Sequence, residues 1–281
     1  MIAAYHQPEA LGAALDLIAN GAVPIAGATG LYTGRVKRDH QLVDITRLGL
    51  NQIEISADAV RIGATVTLAE LVAAAQIPAT AGEVLRKVAR GIASAPLRNM
   101  ITVGGGIAHI VYWADMPVAL LALDATVEVQ RAKEKPVQIP IDFCLRDGKK
   151  TWDGGLITSV RVPLDSDKIS FGYERFTRTA SDYAFASACV TLRNVGGVAK
   201  RVRVVLGAVQ GRPSRLASVE ALVEGQAITP QLLETIEKNV HSSVQVAPNF
   251  RAPAEYRREL AAVLVGRALD SAWAQASREE G

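Results

Sequence analysis

The stretch PIAGATGLYTG, residues 24–34, decides which folds the rest of the chain is compatible with. Its glycines follow a short apolar segment, an arrangement that lets backbone N–H groups approach a phosphate closely. In the dinucleotide fingerprint such a turn leads into a long helix whose N-terminus carries the pyrophosphate. Here only LYTGRVKRDH, residues 31–40, precedes the next predicted strand, and it is basic and without apolar periodicity. A Rossmann-type NAD(P)-dependent reductase is therefore only the minor alternative.

A second glycine loop, TVGGGIA at residues 102–108, favours a different phosphate site. Two glycine-rich loops from different βα units can converge on one pyrophosphate, because a concave set of N–H groups binds an anion without a lysine. Either loop alone is also compatible with an ordinary tight turn. Asp44, at the end of the predicted strand QLVDI, mimics a ribose-binding acid by its position only.

The composition indicates a globular chain without a dedicated nucleic-acid or membrane surface. The 281 residues carry a net charge of +3, and the basic residues are spread along the chain, which argues against a nucleic-acid partner. No apolar run reaches about 18 residues, so we predict no transmembrane segment. The first residues lack the pattern of a signal peptide, and the expected location is cytoplasmic.

The chain offers no pattern for a metal centre or a catalytic side chain. It has two cysteines, Cys144 and Cys189, whereas an iron–sulfur cluster needs about four thiolates. The four histidines share no chelating spacing. We therefore predict no metal site, and no catalytic residue is assigned because no convincing triad or carboxylate pair is present.

Periodicity and turn signals predict an α+β chain with two domains. Residues 1–165 alternate helices and short strands around the two glycine loops, and the polar PLDSD at residues 163–167 marks the boundary. Residues 166–281 contain the strands ACVTLRN and AKRVRVVLGAV, joined by a Val-Gly-Gly turn that predicts an antiparallel hairpin. Three helices follow, so the second domain is a smaller α+β unit with an antiparallel sheet.

Taken together, these motifs resemble the FAD-binding medium subunit of the molybdenum hydroxylases, the family of xanthine dehydrogenase and aerobic carbon monoxide dehydrogenase. AGATGL at residues 26–31 is similar to that family's A-G-G-T-D-L, and TVGGGIA is similar to its T-I-G-G-N-I-A. YERFTRTASDYA, residues 173–184, and RAPAEYRRELAAVLV, residues 251–265, extend the resemblance to the C-terminal part.

The resemblance implies a fold for each domain. Residues 1–165 would form a two-subdomain, PCMH-type FAD-binding domain, similar to that of vanillyl-alcohol oxidase and split near residues 55–60. Residues 166–281 would form a CO dehydrogenase flavoprotein-type C-terminal domain.

The resemblance also implies that the two loops hold the FAD pyrophosphate through their backbone N–H groups. Thr29 and Thr102 would add hydroxyl contacts. The loop residues implied in cofactor binding are Ala26, Gly27, Ala28, Thr29, Gly30, Leu31, Thr102, Val103, Gly104, Gly105 and Gly106.

Four further residues complete the implied FAD site. Asp115 would accept a hydrogen bond from the adenosine ribose, and Ile157 would contact the flavin or adenine through its main chain. Arg175, where the family usually has lysine, would neighbour a phosphate or the flavin, and Tyr183 would lie near the isoalloxazine. From the residues alone, Asp115 could instead cap a helix, Arg175 could be a solvated charge and Tyr183 a strand-core residue.

Several positions depart from the family pattern. Gly30 replaces an aspartate or serine, Gly106 replaces an asparagine, and the spacer before Asp115 carries the bulky Tyr112 and Trp113. If those rings fill the ribose or adenine pocket, the chain would be a non-catalytic scaffold relative that has lost FAD.

The function implied by the resemblance is that of an electron-transferring flavoprotein subunit in a larger oxidoreductase. A large subunit with a molybdenum pterin would oxidise the substrate, and a small subunit would relay electrons through two [2Fe–2S] clusters. FAD would pass them to an external acceptor, since the redox chemistry belongs to the cofactor. The full enzyme would be a heterotrimer, with a dimer of heterotrimers as the expected assembly.

Overall fold

The computed structural model describes residues 2–30, 40–109, 111–164, 169–247, 249 and 252–279. The chain forms two compact units: residues 1–74, 94–110 and 124–164 make the first, and residues 75–93, 111–123 and 165–281 make the second. Each unit is therefore built from segments that are distant in sequence. Leu31, one of the predicted cofactor-binding residues, lies outside the described residues.

Helices and short strands alternate along the chain. The helices are α1 (Leu11–Ala19), α2 (Leu68–Ala73), α3 (Ala79–Gly91), α4 (Ala95–Arg98), α5 (Val103–Ala108), α6 (Asp115–Ala122), α7 (Ile141–Asp147), α8 (Ala217–Val223), α9 (Pro230–Ser243) and α10 (Ala254–Glu279). The strands are β1 (Ala4–His6), β2 (Val23–Ile25), β3 (Gln41–Asp44), β4 (Ile53–Ile55), β5 (Ala59–Gly63), β6 (Thr126–Arg131), β7 (Val137–Pro140), β8 (Gly155–Pro163), β9 (Ser170–Phe176), β10 (Ala186–Val195), β11 (Val198–Gly207) and β12 (Ser214–Arg215). The predicted α+β class is confirmed.

The first unit contains two sheets. A parallel sheet has the strand order β1–β3–β2, and an antiparallel sheet has the order β4–β5–β8–β6–β7. The buried face of α1, with Ala14, Leu15 and Ile18, packs with Val43 of β3 into a small core. The first glycine loop follows directly after β2, so its position is fixed by the parallel sheet.

The second glycine loop is a short helix, α5, and not an open loop. Thr102 is its N-cap, with Oγ1 accepting from the N–H of Gly105 at 3.1 Å. A Cβ atom added to Gly104 would lie 2.6 Å from the Cβ of Ala64. Glycine is needed at position 104 because the helix approaches this neighbouring segment so closely.

The second unit is an antiparallel sheet, ordered β12–β11–β10–β9, with α10 packed against β9 and β10. The predicted hairpin is confirmed: β10 and β11 pair in antiparallel register, and Gly196 and Gly197 turn the chain with φ values of 61° and 81°. Positive φ at both turn positions is the geometry that favours glycine. A large apolar core fills the space between the sheet and α8, α9 and α10.

In the described part of the chain, no helix is both long enough and apolar enough to cross a membrane.

Candidate functional site

The first loop presents three consecutive backbone N–H groups. Among the described residues, the N–H groups of Gly27, Ala28 and Thr29 meet no acceptor of the protein. Ala28 has φ 56°, in the left-handed region, and the loop is only half buried. Successive N–H groups around a left-handed residue form a concavity that binds anions. The predicted role of this loop toward a phosphate therefore has the donor set that it requires.

The N–H groups of the second loop already donate hydrogen bonds to acceptors within the protein. Val103 donates to the carbonyl of Val66 and Gly104 to that of Ala64, both at 2.9 Å. Gly105 donates to Thr102 Oγ1, and Gly106 donates to the Thr102 carbonyl as the first bond of α5. The Thr102 hydroxyl is likewise engaged as a helix cap and is buried. In this conformation, the predicted donation of these N–H groups to the pyrophosphate would require the four bonds to be exchanged.

The two loops nevertheless lie side by side. A Cβ atom at Gly27 would fall 1.5 Å from the carbonyl oxygen of Met100, two residues before Thr102. A Cβ atom at Gly30 would fall 2.9 Å from the ring of His109, the C-cap of α5. The first loop thus contacts both ends of the second-loop segment. The two loops are therefore neighbours, as the predicted convergence on one pyrophosphate requires, and their contact with a pyrophosphate stays a prediction.

Gly106 faces open space. No heavy atom lies within 4 Å of a Cβ atom built at this position. Its neighbours Gly104 and Gly105 would place their Cβ atoms 2.6 Å from Ala64 and Thr102 respectively. Packing within the protein therefore explains glycine at 104 and 105, whereas it does not explain glycine at 106.

Asp44 has a structural role. Its Oδ2 accepts from the Tyr5 hydroxyl at 2.6 Å and from Gln7 Nε2 at 3.0 Å. Its Oδ1 accepts from the N–H and the hydroxyl of Thr46 at 2.9 Å and 2.7 Å. Burial alone would raise the pKa of this carboxyl, but the hydrogen bonds from Tyr5 and Thr46 hold it below its usual value. These bonds fix the carboxyl end of β3 without any ligand.

Asp115 and Arg175 form a buried ion pair in the second unit. Arg175 Nε donates to Asp115 Oδ2 at 2.7 Å, and the two side chains are 12% and 3% exposed. Burial raises the pKa of the Asp115 carboxyl, while the Arg175 guanidinium and the hydroxyls of Ser187 and Tyr173 oppose that rise. Asp115 Oδ1 is buried and makes no hydrogen bond within the described residues. A ribose hydroxyl could reach this oxygen only if the packing around it rearranged, so the predicted ribose contact of Asp115 stays a prediction.

Tyr183 lies in the connection between β9 and β10 and is 52% exposed. Its ring centroid is 5.1 Å from that of Trp113, with an angle of 47° between the planes. Trp113 in turn meets the ring of Tyr112 edge to face at 4.5 Å. Tyr112 and Trp113 thus contact each other, and Trp113 also contacts Tyr183. The exposed part of the Tyr183 ring is accessible to a planar ligand.

Ile157 occupies the central strand β8 of the first unit. Its Cα partner is Val129 of β6, next to a β-bulge. The ladder between β5 and β8 ends at Gly63 and Ser159, and Ala64 donates to the carbonyl of Thr158. Ile157 therefore lies just beyond the β5 ladder, on the strand against which α5 packs. Its predicted main-chain contact with the flavin or adenine stays a prediction.

Both thiols are buried and protonated. Burial raises the pKa of both Cys144 and Cys189 to about 12, so neither is a thiolate near neutral pH. Within the described ranges, no group of three or more His, Cys, Asp or Glu side chains could hold a metal ion.

Sequence reasoning missed the two residues that join the loops, Met100 and His109. Met100 contributes only its carbonyl, which any residue could supply, so its identity carries no signal. His109 directly follows the TVGGGIA motif, but its contact with Gly30 spans a large distance in sequence. Such contacts become visible only when the chain is folded.

Two protein-family models together match nearly the whole length of the chain. The family model described as "FAD binding domain in molybdopterin dehydrogenase" matches residues 1–165, and that of the "CO dehydrogenase flavoprotein C-terminal domain" matches residues 171–272. The chain is 30% identical to the glyceraldehyde dehydrogenase medium chain of Sulfolobus acidocaldarius, over 94% of this chain and 96% of that one. It is 28% identical to the carbon monoxide dehydrogenase medium chain of Afipia carboxidovorans, over 97% of each.

A solved structure shows the same fold. A chain of the carbon monoxide dehydrogenase from Hydrogenophaga pseudoflava, in a form that lacks the Mo-pyranopterin moiety of its cofactor, superposes with a TM-score of 0.87 at 26% identity. The match covers 98% of both chains. The resemblance predicted from the motifs is confirmed.

Proposed function

Because this chain belongs to the family of FAD-binding domains of molybdopterin dehydrogenases, we propose that it is the electron-transferring medium subunit of a multi-subunit molybdenum hydroxylase. In this proposal it takes electrons from the [2Fe–2S] clusters of a partner subunit and passes them to an external acceptor. Its relatives include the medium chains of a glyceraldehyde dehydrogenase and a carbon monoxide dehydrogenase, and the FAD-binding subunit of a xanthine dehydrogenase.

The first glycine loop is the observation that carries this proposal. Its N–H groups at Gly27, Ala28 and Thr29 have no acceptor among the described residues, and they curve around a left-handed residue. A pyrophosphate is an anion that such a donor set binds without a cationic side chain. The residues present therefore fit the phosphate part of FAD.

The protein's part in the reaction is to bind, orient and shield the cofactor. FAD, when bound, supplies the redox chemistry. We assign phosphate binding to residues 26–30, with the open space at Gly106 beside them. We assign ribose binding to the Asp115 carboxylate, whose buried Oδ1 a ribose hydroxyl would reach only after a local rearrangement of the packing. Tyr183 offers a half-exposed ring for contact with a planar group, and Trp113 packs against that ring. We assign no proton transfer to any side chain.

The partners follow from the same proposal. We propose a large subunit with the molybdenum pterin, a small subunit with two [2Fe–2S] clusters, and a dimer of heterotrimers as the complete enzyme. A cytoplasmic location and the absence of a nucleic-acid partner remain predictions from the sequence.

The test is an absorption spectrum of the purified full-length chain from 300 to 600 nm, with the released chromophore identified. Flavin bands and about one FAD per chain are expected. A matched pair of variants then locates the site. Gly106→Trp and Gly12→Trp both add a large side chain within a helix, at positions where no neighbouring protein atom lies within 4 Å of an added Cβ atom.

The two variants should differ only in their affinity for FAD. Gly106→Trp should weaken FAD binding at least tenfold, because its indole is much larger than the asparagine that the family usually has at this position and would intrude on a pyrophosphate beside α5. Gly12→Trp should bind FAD as the wild type does. Equal affinities would remove Gly106 from the site. A chain that is colourless and takes up no added FAD, alone or with its partner subunits, would overturn the proposal and favour the scaffold alternative.

A further inference from the structure

Arg175 bonds to more than Asp115. Its Nη2 donates to the main-chain carbonyl of Asp182, and its Nη1 lies 3.5 Å from the carbonyl oxygen of Ala180. Both carbonyls belong to the turn between β9 and β10 that carries Tyr183. The same guanidinium therefore joins the first residue of α6, Asp115, to the main chain just before Tyr183.

The turn also has hydrogen bonds of its own. Asp182 donates to the carbonyl of Thr179 at 3.1 Å, and Tyr183 donates to the carboxylate of Asp182 at 2.7 Å. Both of these bonds are local to the turn. Arg175 is different, because its side chain extends from strand β9 and pairs with a carboxylate that is itself only 3% exposed.

We propose that Asp115 and Arg175 form a brace that fixes the turn at residues 179–183 and thereby sets the position of the Tyr183 ring. Arg175 is in this view a positioning residue that acts through Tyr183, and not a ligand of the cofactor's phosphate. The inference rests on the proposed function only in placing Tyr183 beside the flavin. The brace itself consists of contacts within the second unit.

The chemistry of arginine suits this role. A planar guanidinium has five donors in a rigid fork, so one side chain can bond a carboxylate through Nε and backbone carbonyls through its terminal nitrogens. A lysine places a single ammonium at one point and cannot keep the spread of all three contacts. A lysine at position 175 would therefore keep the charge beside Asp115 but release the turn.

The Trp113 ring also helps to fix the position of the Tyr183 ring. Trp113 packs against Tyr183 with centroids 5.1 Å apart. The segment that carries Trp113 is itself tied down, since Ala208 donates to the carbonyl of Tyr112 at 2.9 Å. With the Arg175 brace intact, the main-chain segments that carry both rings are fixed, so the exposed part of the Tyr183 ring is preorganised to contact a planar ligand.

The test compares Arg175→Lys with Arg178→Lys in the full-length chain. Arg178 lies in the same connection, with its guanidinium 5.4 Å from the Phe185 ring centroid, a contact that lysine can also make. Hydrogen exchange followed by mass spectrometry reports on residues 179–184. Arg175→Lys should speed exchange there at least tenfold while leaving β10 and β11 unchanged, and Arg178→Lys should match the wild type. Unchanged exchange in Arg175→Lys would overturn the brace.

A second readout separates positioning from ligation. Arg175→Lys should still bind about one FAD but alter the visible circular dichroism of the flavin, and this change should vanish in a Tyr183→Ala background. Loss of FAD with unaltered exchange would make Arg175 a cofactor ligand and refute the brace. If the wild type binds no FAD while Arg175→Lys still loosens the turn, the brace stands and the proposed function fails.

Discussion

Gly27 is the residue at which the first loop has least freedom to change. An added Cβ atom would meet the backbone of Met100 at 1.5 Å, so the loop or its neighbour would have to move. We expect Gly27→Ala to lower the free energy of unfolding by about 1–3 kcal/mol and to abolish FAD binding. Urea denaturation and FAD stoichiometry measure the two effects. The control is Gly12→Ala, which should be neutral or slightly stabilising; equal behaviour of the two variants would contradict the close approach.

Asp44 provides a pH-dependent contribution at the same scale. Its pKa in the folded state is lowered, whereas in the unfolded chain it is about 3.9. The stability it contributes is therefore fully present above the unfolded pKa and is lost as the pH falls through the folded pKa. Asp44→Asn should cost about 1–3 kcal/mol at pH 7, and the difference from wild type should shrink at pH 3.

Urea denaturation of both proteins at the two pH values tests this expectation. Asp16→Asn is the matched control, because Asp16 lies exposed on α1 and should change stability by less than about 0.5 kcal/mol. A gap between Asp44→Asn and the wild type that stays constant from pH 7 to pH 3 would refute the role of the ionised carboxylate.

At the scale of single elements, the N-terminus of α2 supports the second loop. Thr67 and Glu70 form a capping box. The backbone N–H of Glu70 donates to Thr67 Oγ1 at 3.2 Å, and the backbone N–H of Thr67 donates to Glu70 Oε2 at 2.7 Å. Leu68 donates to the carbonyl of Ile101, and Thr67 forms a β-bridge with Thr102. The start of α2 is therefore joined to the segment that opens α5.

Removal of the Thr67 cap should destabilise the N-terminal turns of both α2 and α5. Thr67→Ala should cost about 1 kcal/mol and speed hydrogen exchange at the starts of α2 and α5. Thr67→Ser keeps the hydroxyl and should restore most of the loss. A Thr67→Ala protein that exchanges like the wild type at α5 would show that the cap does not support the second loop.

At the scale of the whole molecule, the division into units cuts across the chain. The helices α3 and α6 belong to the second unit, and the buried residues of α6 include Val118, Ala119 and Leu120. Their packing partners on β9, β10 and β11 are encoded after residue 165. A fragment of residues 1–165, although it spans the matched FAD-binding domain, would leave these apolar faces exposed.

We expect that fragment to bind the dye ANS strongly and to lack a cooperative urea transition, because exposed apolar surface and loss of fixed packing go together. The full-length chain should bind little dye and unfold cooperatively. A fragment that unfolds cooperatively and binds no ANS would contradict the assignment of α3 and α6 to the second unit.

Features encoded by neighbouring residues could be predicted from the sequence. The hairpin at Gly196 and Gly197, the capping box at Thr67 and the cap of α9 at Thr229 all depend on interactions within a few residues, and the structure contains each of them. Family membership could also be predicted from the sequence, because each motif is a contiguous stretch of residues. Short edge strands such as β1 and β7 were not, since three or four residues carry too little periodicity.

The sequence by itself determined the fold class, the hairpin, the helix caps and the family, because local interactions and contiguous motifs specify them. Only the tertiary structure decided how the site groups are used. It closed the glycine triplet after Thr102 into a capped helix, placed Gly27 against Met100, and paired Asp115 with Arg175. The physical reason is that a donor or a charge takes the partner that folding brings within reach, and these partners lie far apart in the chain.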